Sequence, residues 1–310
     1  MNRLGLNLRL PVIAAPMFLV SGPALVIAAC RAGIVGSFPT TNCRTAAEVD
    51  AWMGEITAAI DGAPWAANLI THSTNARLAD DLALVAKHKP PVVITALGSP
   101  APVVEIVHDY GGTVLADVID PKLARKALAA GADGLACVAT GAGGHTGKYS
   151  PLAFVSAVRA FFDGPLALGG GIADGAGVAA AIAAGADLIY MGTRFVGATE
   201  SLAVPAYKAM VAAAGIDDIV VSGAVTGTPA SWLRASFDAA GYTVDGGAPE
   251  RNYDSAADGR ARWRDIWSAG QGVHASTNEQ STAEIVDDLE RGFIAAQVRL
   301  AGWSGRTGHS

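Results

Sequence analysis

Short, almost continuous apolar runs alternate along the first two-thirds of the chain with longer segments in which apolar and small residues recur at helical spacing. The short runs fall at residues 11–15, 34–37, 65–69, 92–97, 113–117, 134–138, 166–168 and 188–191, and predict eight strands. The segments between them, 22–32, 46–60, 75–87, 101–109, 121–130, 152–162 and 175–184, predict helices; Leu123, Ala127 and Ala130 mark one apolar face. The phrase Ala-Gly-Ala-Asp occurs at 130–133 and again at 184–187, closing a helix with glycine and handing the chain to the next strand. Strands without strict alternation are buried on both faces, as in a parallel sheet. Eight strand–helix units in about 200 residues predict an α/β fold of the (β/α)8 (TIM) barrel type. A doubly wound open sheet would explain the alternation, but not successive glycine-rich turns after the seventh and eighth strands.

Beyond residue 200 the rhythm changes. Helices are predicted at 201–214, 231–240, 260–268 and 282–300, a short strand at 219–222, and polar loops at 223–229 and 241–253. Residues 1–200 are therefore expected to form the barrel, and 201–310 a helical elaboration packed on its mouth, with a frayed end from 304.

Composition narrows the functional classes. Of 310 residues 51% are hydrophobic and 16% charged, enough apolar content for a large core. The net charge of −6, with no basic block, argues against nucleic-acid binding. No apolar stretch approaches the ~20 residues of a membrane span, and no leader pattern precedes the first strand, so a cytoplasmic protein is expected. Cys30, Cys43 and Cys137 show no metal or disulfide spacing; Cys43, in a polar loop, is read as an ordinary thiol.

The chemistry concentrates in the glycines. In Thr140-Gly141-Ala142-Gly143-Gly144-His145-Thr146-Gly147, five of eight residues are Gly or Ala, so the backbone can approach a flat ligand closely while one imidazole faces it. Leu168-Gly169-Gly170-Gly171-Ile172 and Tyr190-Met191-Gly192-Thr193-Arg194 each follow a strand and open a helix, which offers backbone N–H groups to a phosphate. Ala15-Pro16-Met17 ends the first strand. Asn68 ends the third, suited to a heterocycle or equally to pinning a loop. His145 titrates near neutrality and can take or hold a proton; His72 and His274 are the next candidates.

Together these pieces resemble the nitronate monooxygenase family (formerly 2-nitropropane dioxygenases), FMN enzymes on a TIM barrel. The resemblance extends to 124–133 and to Trp267-Ser268-Ala269-Gly270-Gln271-Gly272. It implies that Gly170, Gly171, Gly192 and Thr193 hold the FMN phosphate, and that Met17 and Asn68 touch the isoalloxazine. Gly144 would line the ring and Gln271 would reach it from the tail. Ala15, Pro16, Gly143, Gly169 and Met191 complete the implied cofactor set. His145 matches the histidine that deprotonates a nitroalkane or steadies its anion. The implied reaction is oxidation of an alkyl nitronate by O2 to a carbonyl compound and nitrite, without a metal, in a monomer or homodimer.

Two departures bear on charge near the flavin: Gly141 stands where many relatives carry an acid, and Asp117, not a basic residue, ends the fifth strand. The resemblance leaves a second enzyme class open, an FMN-dependent reductase of enoyl thioesters or quinones that uses NAD(P)H. A passive flavin-binding sensor would need the glycines but not His145. A dehydrogenase of the inosine-monophosphate type would need a cysteine where this chain has His145.

Overall fold

A computed structural model describes residues 3–249 and 265–304. The eight predicted strands form a closed parallel barrel. In chain order they are β1 (Val12–Ala14), β2 (Val35–Pro39), β3 (Trp65–Ile70), β4 (Val92–Ala96), β5 (Thr113–Val118), β6 (Gly134–Val138), β8 (Leu166–Gly169) and β9 (Leu188–Met191). β1 closes the ring by pairing Ile13 with Val35 on one side and Tyr190 on the other. Ile13, Val35, Ile94, Leu115 and Leu188 are buried together in one cluster.

Several helices begin where the sequence supplies a capping side chain or a proline. α1 is Pro23–Arg31, and α2 (Ala46–Ala59) opens with a reciprocal box: Thr45 Oγ1 accepts from Glu48 N at 3.2 Å, while the Glu48 carboxylate accepts from Thr45 N. α3 (Leu78–His88) and α4 (Ala101–His108) follow. α5 (Pro121–Ala129) is capped by Asp120, with proline in its first turn. After α6 (Pro151–Arg159) comes α7 (Gly175–Ala183), capped by Asp174 through Gly177 N at 2.7 Å. The repeated Ala-Gly-Ala-Asp does more than end a helix. Gly131 and Gly185 take φ of +95° and +113°, and the aspartates that follow reach back across the sheet. Asp133 accepts from Val114 N at 2.8 Å, and Asp187 from Leu166 N at 2.9 Å. Each repeat thus pins the start of the neighbouring strand.

The tail departs from expectation. Residues 231–240 carry a helical pattern, yet Ala230–Leu233 is a strand, β11, and the helix (α10) covers only Arg234–Ala239. The strand has partners that no local pattern reveals. It pairs antiparallel with β10 (Ile219–Ser222) on one side and with the two-residue β7 (Gly144–His145) on the other. Pairing and burial of Trp232 override helix propensity. The tail is therefore part sheet. α9 (Pro205–Ala213) starts only at its proline, and α8 (Thr193–Val196) is a single turn. Residues 260–264 of the predicted helix 260–268 and residues 250–253 of the predicted loop 241–253 lie outside the described residues, as does the end from 305. α11 (Thr282–Ser304) packs beside α7 and α1.

The α7–α11 contact depends on absent side chains. A Cβ on Gly175 would stand 2.1 Å from Leu289 O and from Phe293 N. Gly175→Val should therefore destabilise the fold by about 1–3 kcal/mol, the usual cost of overpacking, or more because backbone is struck. A thermal melt checks this, and an unchanged midpoint would mean the two helices are not tightly apposed.

Candidate active site

The C-terminal ends of the strands surround a cavity of about 620 Å3, within the range of small-molecule and cofactor sites. Ala15, Pro16, Met17, Asn68, Gly143, Gly144, His145, Gly169, Gly170, Gly171, Gly192 and Thr193 all lie on its wall, from five different loops or strand ends. Met191 does not; its side chain is buried in the core, and its carbonyl accepts from Ala15 N at 2.8 Å, holding the first loop to the last strand. Gln271 is exposed and off the wall as well, its N–H donating to Gly141 O at 2.9 Å while Gly272 beside it reaches the cavity. His72 lines the cavity, whereas His274 is exposed and sits against Gln271 O.

Three local devices build the wall. The Met17 loop hangs on Asn42, whose amide donates to Met17 O and Ser21 O and accepts from Leu19 N at 2.8 Å. The glycine turn after β8 runs through φ of +142° at Gly170 and +68° at Gly171, the left-handed side that glycine tolerates. A Cβ on Gly170 would come within 2.7 Å of Thr140 O, so this turn and the His145 turn lie backbone to backbone. The tail then crosses both. Gly270 N donates to Thr193 Oγ1 at 2.9 Å, and a Cβ on Gly270 would meet Gly141 O at 2.4 Å.

His145 is held by β7. It pairs with Ala230, and Gly144 with Ser231, so the tail sheet sets the backbone of the imidazole. Asn68 is buried and its Nδ2 donates to Ile94 O at 3.1 Å; it is both a strand pin and part of the wall. Cys43 and Cys137 are buried, and burial pushes the Cys137 thiol up to about 12.

Asp117, which the sequence places at a strand end where it bears on charge near the implied flavin, and Tyr190, which it did not single out, both line the cavity. They meet inside the barrel, the Tyr190 hydroxyl hydrogen-bonded to the Asp117 carboxyl. Burial pushes that carboxyl up to about 7, against the pull of the Tyr190 hydrogen bond. Burial, with the neighbouring carboxylate charge behind it, also drives the Tyr190 phenol well above its ordinary value. Both residues sit inside strand patterns; the curvature of the ring brings together side chains of β5 and β9, which β6 and β8 separate. Tyr207 from α9 is a further unforeseen wall residue, its hydroxyl bonded to Ser268 O.

The residues fit a flavin phosphate and ring. Two glycine turns with positive or bare backbone stand side by side at the ends of β8 and β9. Around Gly144 a Cβ would meet nothing within 4 Å, which leaves room for a flat ring against the backbone, and the partly exposed Asp117 lies on the same wall. Among the described residues no His/Cys/Asp/Glu group could hold a metal ion, and no helix is long and apolar enough to cross a membrane.

A closed parallel barrel with phosphate-type glycine turns after its last two strands, and a histidine in the mouth, defines a barrel enzyme that works through a bound cofactor. The model of the family described as nitronate monooxygenase matches residues 70–292, and the chain belongs to that family. It is accordingly a flavin-dependent oxidoreductase acting on small molecules. A nitronate monooxygenase of Paraburkholderia phytofirmans is 29% identical, with 91% of each chain covered. A Mycobacterium tuberculosis protein named as a hydroxy-methyl-oxo-octahydroindene-carboxyl-CoA dehydrogenase is 30% identical, over 73% of this chain and 64% of that one. Among solved structures, FabK from Thermotoga maritima superposes with a TM-score of 0.82 at 27% identity, covering 96% of both chains. Nitroalkane oxidase from Streptomyces ansochromogenes gives 0.80 at 25% identity, covering 94% of this chain and 98% of that one.

Proposed function

We propose that the chain is an FMN-dependent monooxygenase that converts alkyl nitronates and O2 to carbonyl compounds and nitrite. The observation that carries this reading is the meeting of His145 with the Met17 loop and both glycine turns around one cavity. Gly170, Gly171, Gly192 and Thr193 would hold the phosphate through backbone N–H groups and one hydroxyl. Met17, Asn68 and Gly144 would border the ring. When bound, FMN supplies the electron transfer between nitronate and O2. The protein's part is to exclude water, orient the substrate and manage its proton. A neutral His145 takes the α-proton of a nitroalkane at a ring nitrogen; a protonated His145 offsets the nitronate charge. The partners are a small substrate and O2, and the reading involves neither nucleic acid nor membrane.

The second reading, an NAD(P)H-dependent reductase of enoyl thioesters or quinones, draws on the FabK-like fold and the CoA-named relative. Ile119 and Leu123 on the cavity wall, with Lys126 beside them, suit an apolar substrate carrying an anionic handle. Anaerobic rapid mixing of the yellow holoprotein separates the two. Loss of oxidised-flavin absorbance with ethylnitronate, and none with NADH or NADPH, is expected. Rapid bleaching by a nicotinamide and indifference to nitronate would overturn the first reading in favour of the second.

A further inference from the structure

The mouth of the barrel contains one acidic side chain that the reaction above does not use. Asp117 leaves β5 at its C-terminal end and lines the cavity. The Tyr190 hydroxyl, from β9, hydrogen-bonds to its carboxyl. Its Oδ1 is shut off from solvent and has no hydrogen-bond partner among the described residues, while the residue keeps part of its surface open on the cavity. Among the described residues no Lys, Arg or His is paired with it. Its surroundings explain this: Thr95 and Ala96 on β4, Ala136 and Val138 on β6 and Gly169 on β8 bring no charge. The titratable groups nearest it are Tyr190 and, on the next strand, Cys137, which feels its charge. Elsewhere on the wall stand His72 after β3, Lys126 on α5, His145 on β7 and Tyr207 on α9.

A carboxyl in that position has two stable ways to exist. Protonated, it is a donor whose hydrogen must find an acceptor, and what fills the cavity can supply one. Ionised, it is a buried negative charge that a single phenol hydrogen bond must hold. A flavin ring presents carbonyl and ring-nitrogen acceptors and gains negative charge on reduction. We propose that Asp117 is a proton-holding residue for the bound flavin: as the acid it donates to a ring acceptor from the side of its carboxyl that opens on the cavity, and as the carboxylate it opposes charge on that ring, so that pH sets how readily the cofactor is reduced. This rests on the FMN reading above and adds to it a role for Asp117 and Tyr190 that His145 does not share.

The carboxyl is poised for the task, since burial pushes it up to about 7 while Tyr190 restrains the rise. The linkage has a definite sign. Charge arriving on the ring raises the proton affinity of Asp117 further, so reduction draws a proton onto the carboxylate. When dithionite delivers two electrons, the ring takes them with one proton; above the carboxyl's own titration a second proton enters at Asp117. In that interval the midpoint potential should fall with pH about twice as steeply as below it.

The test is a redox titration of the holoprotein with dithionite and a reference dye from acid to mildly alkaline pH, alongside the absorbance of the oxidised flavin. In the native protein both should break near neutrality. In Asp117→Asn, which is neutral and nearly isosteric, the break should vanish, and at alkaline pH the potential should lie above the native one. In Tyr190→Phe the carboxylate loses its donor, so the break should move to higher pH; this variant decides the matter where Asp117→Asn fails to fold or retain flavin. A break that survives in Asp117→Asn, or stays in place in Tyr190→Phe, overturns the proposal, as does a native protein with no break. A protein that binds no flavin overturns the cofactor reading itself, and the two failures are thereby distinguished.

Discussion

Replacing His145 by alanine is expected to lower turnover by about 10^2–10^4-fold, the range that a positioned acid–base group contributes, while the protein remains yellow. The retained colour follows from the site's construction. The implied phosphate and ring contacts come from Gly170, Gly171, Gly192, Thr193 and Met17, none of which depends on the imidazole. The backbone at 145 is fixed by pairing with Ala230, so the truncation should not move the turn. Comparing nitroethane with preformed ethylnitronate then reads the role. A proton acceptor is needed for the neutral nitroalkane but not for its anion, so a base predicts a selective loss with nitroethane. An anion-stabilising imidazolium predicts a loss with both substrates and a raised KM for the nitronate. Native rates in His145→Ala would remove the residue from the chemistry, leaving only its place in the β7 pairing.

Asp81→Ala should be the most damaging single change away from the cavity, at about 3 kcal/mol, because it leaves a guanidinium without its buried partner. Asp81 lies on α3 and is inaccessible to solvent. It accepts from Thr40 Oγ1 at 2.6 Å and from Arg77 Nε at 2.9 Å. Arg77 is slightly exposed, which puts the cost at the low end of that for a buried pair. The same guanidinium donates to Thr40 O and Cys43 O, so the cluster clamps the turn of residues 40–42 after β2. Asn42 in that turn carries the Met17 loop. Removing the carboxylate should therefore lower the melting midpoint and also weaken flavin retention, although Asp81 touches no ligand. Calorimetry on the apo and holo forms checks both, and a melting loss without weaker flavin binding would break the link between clamp and cavity.

Much of this molecule follows from short-range chemistry. The eight apolar runs became the eight barrel strands, because a strand buried on both faces must be apolar throughout. The caps at Thr45, Asp120 and Asp174, and the glycines that end helices at 131 and 185, act within a few residues. His145, Met17, Asn68 and the glycines of both turns were legible because a parallel barrel gathers all strand ends at one mouth, whatever the loops contain.

What escaped the sequence is what long-range contact determines. Ala230–Leu233 became a strand because β10 and the two residues around His145 offered it hydrogen bonds from outside its own segment. Met191 fits the same motif as its neighbours, yet its side chain turned into the core, while the exposed Gln271 lies against Gly141 and Gly171. Gly270 and Gly141 show how close the tail comes to the His145 turn, a fit of backbone against backbone that composition cannot express. Asp117 and Tyr190 illustrate the limit most clearly. Asp117 was legible as a charge at a strand end and Tyr190 only as a strand residue, and the chain between them gives no sign that they meet. The sequence by itself determined the barrel, its working end and the histidine there, since periodicity, caps and strand-end position are local rules. Only the tertiary structure decided which side chains face the cavity, because closing the ring removes their water and leaves them to one another.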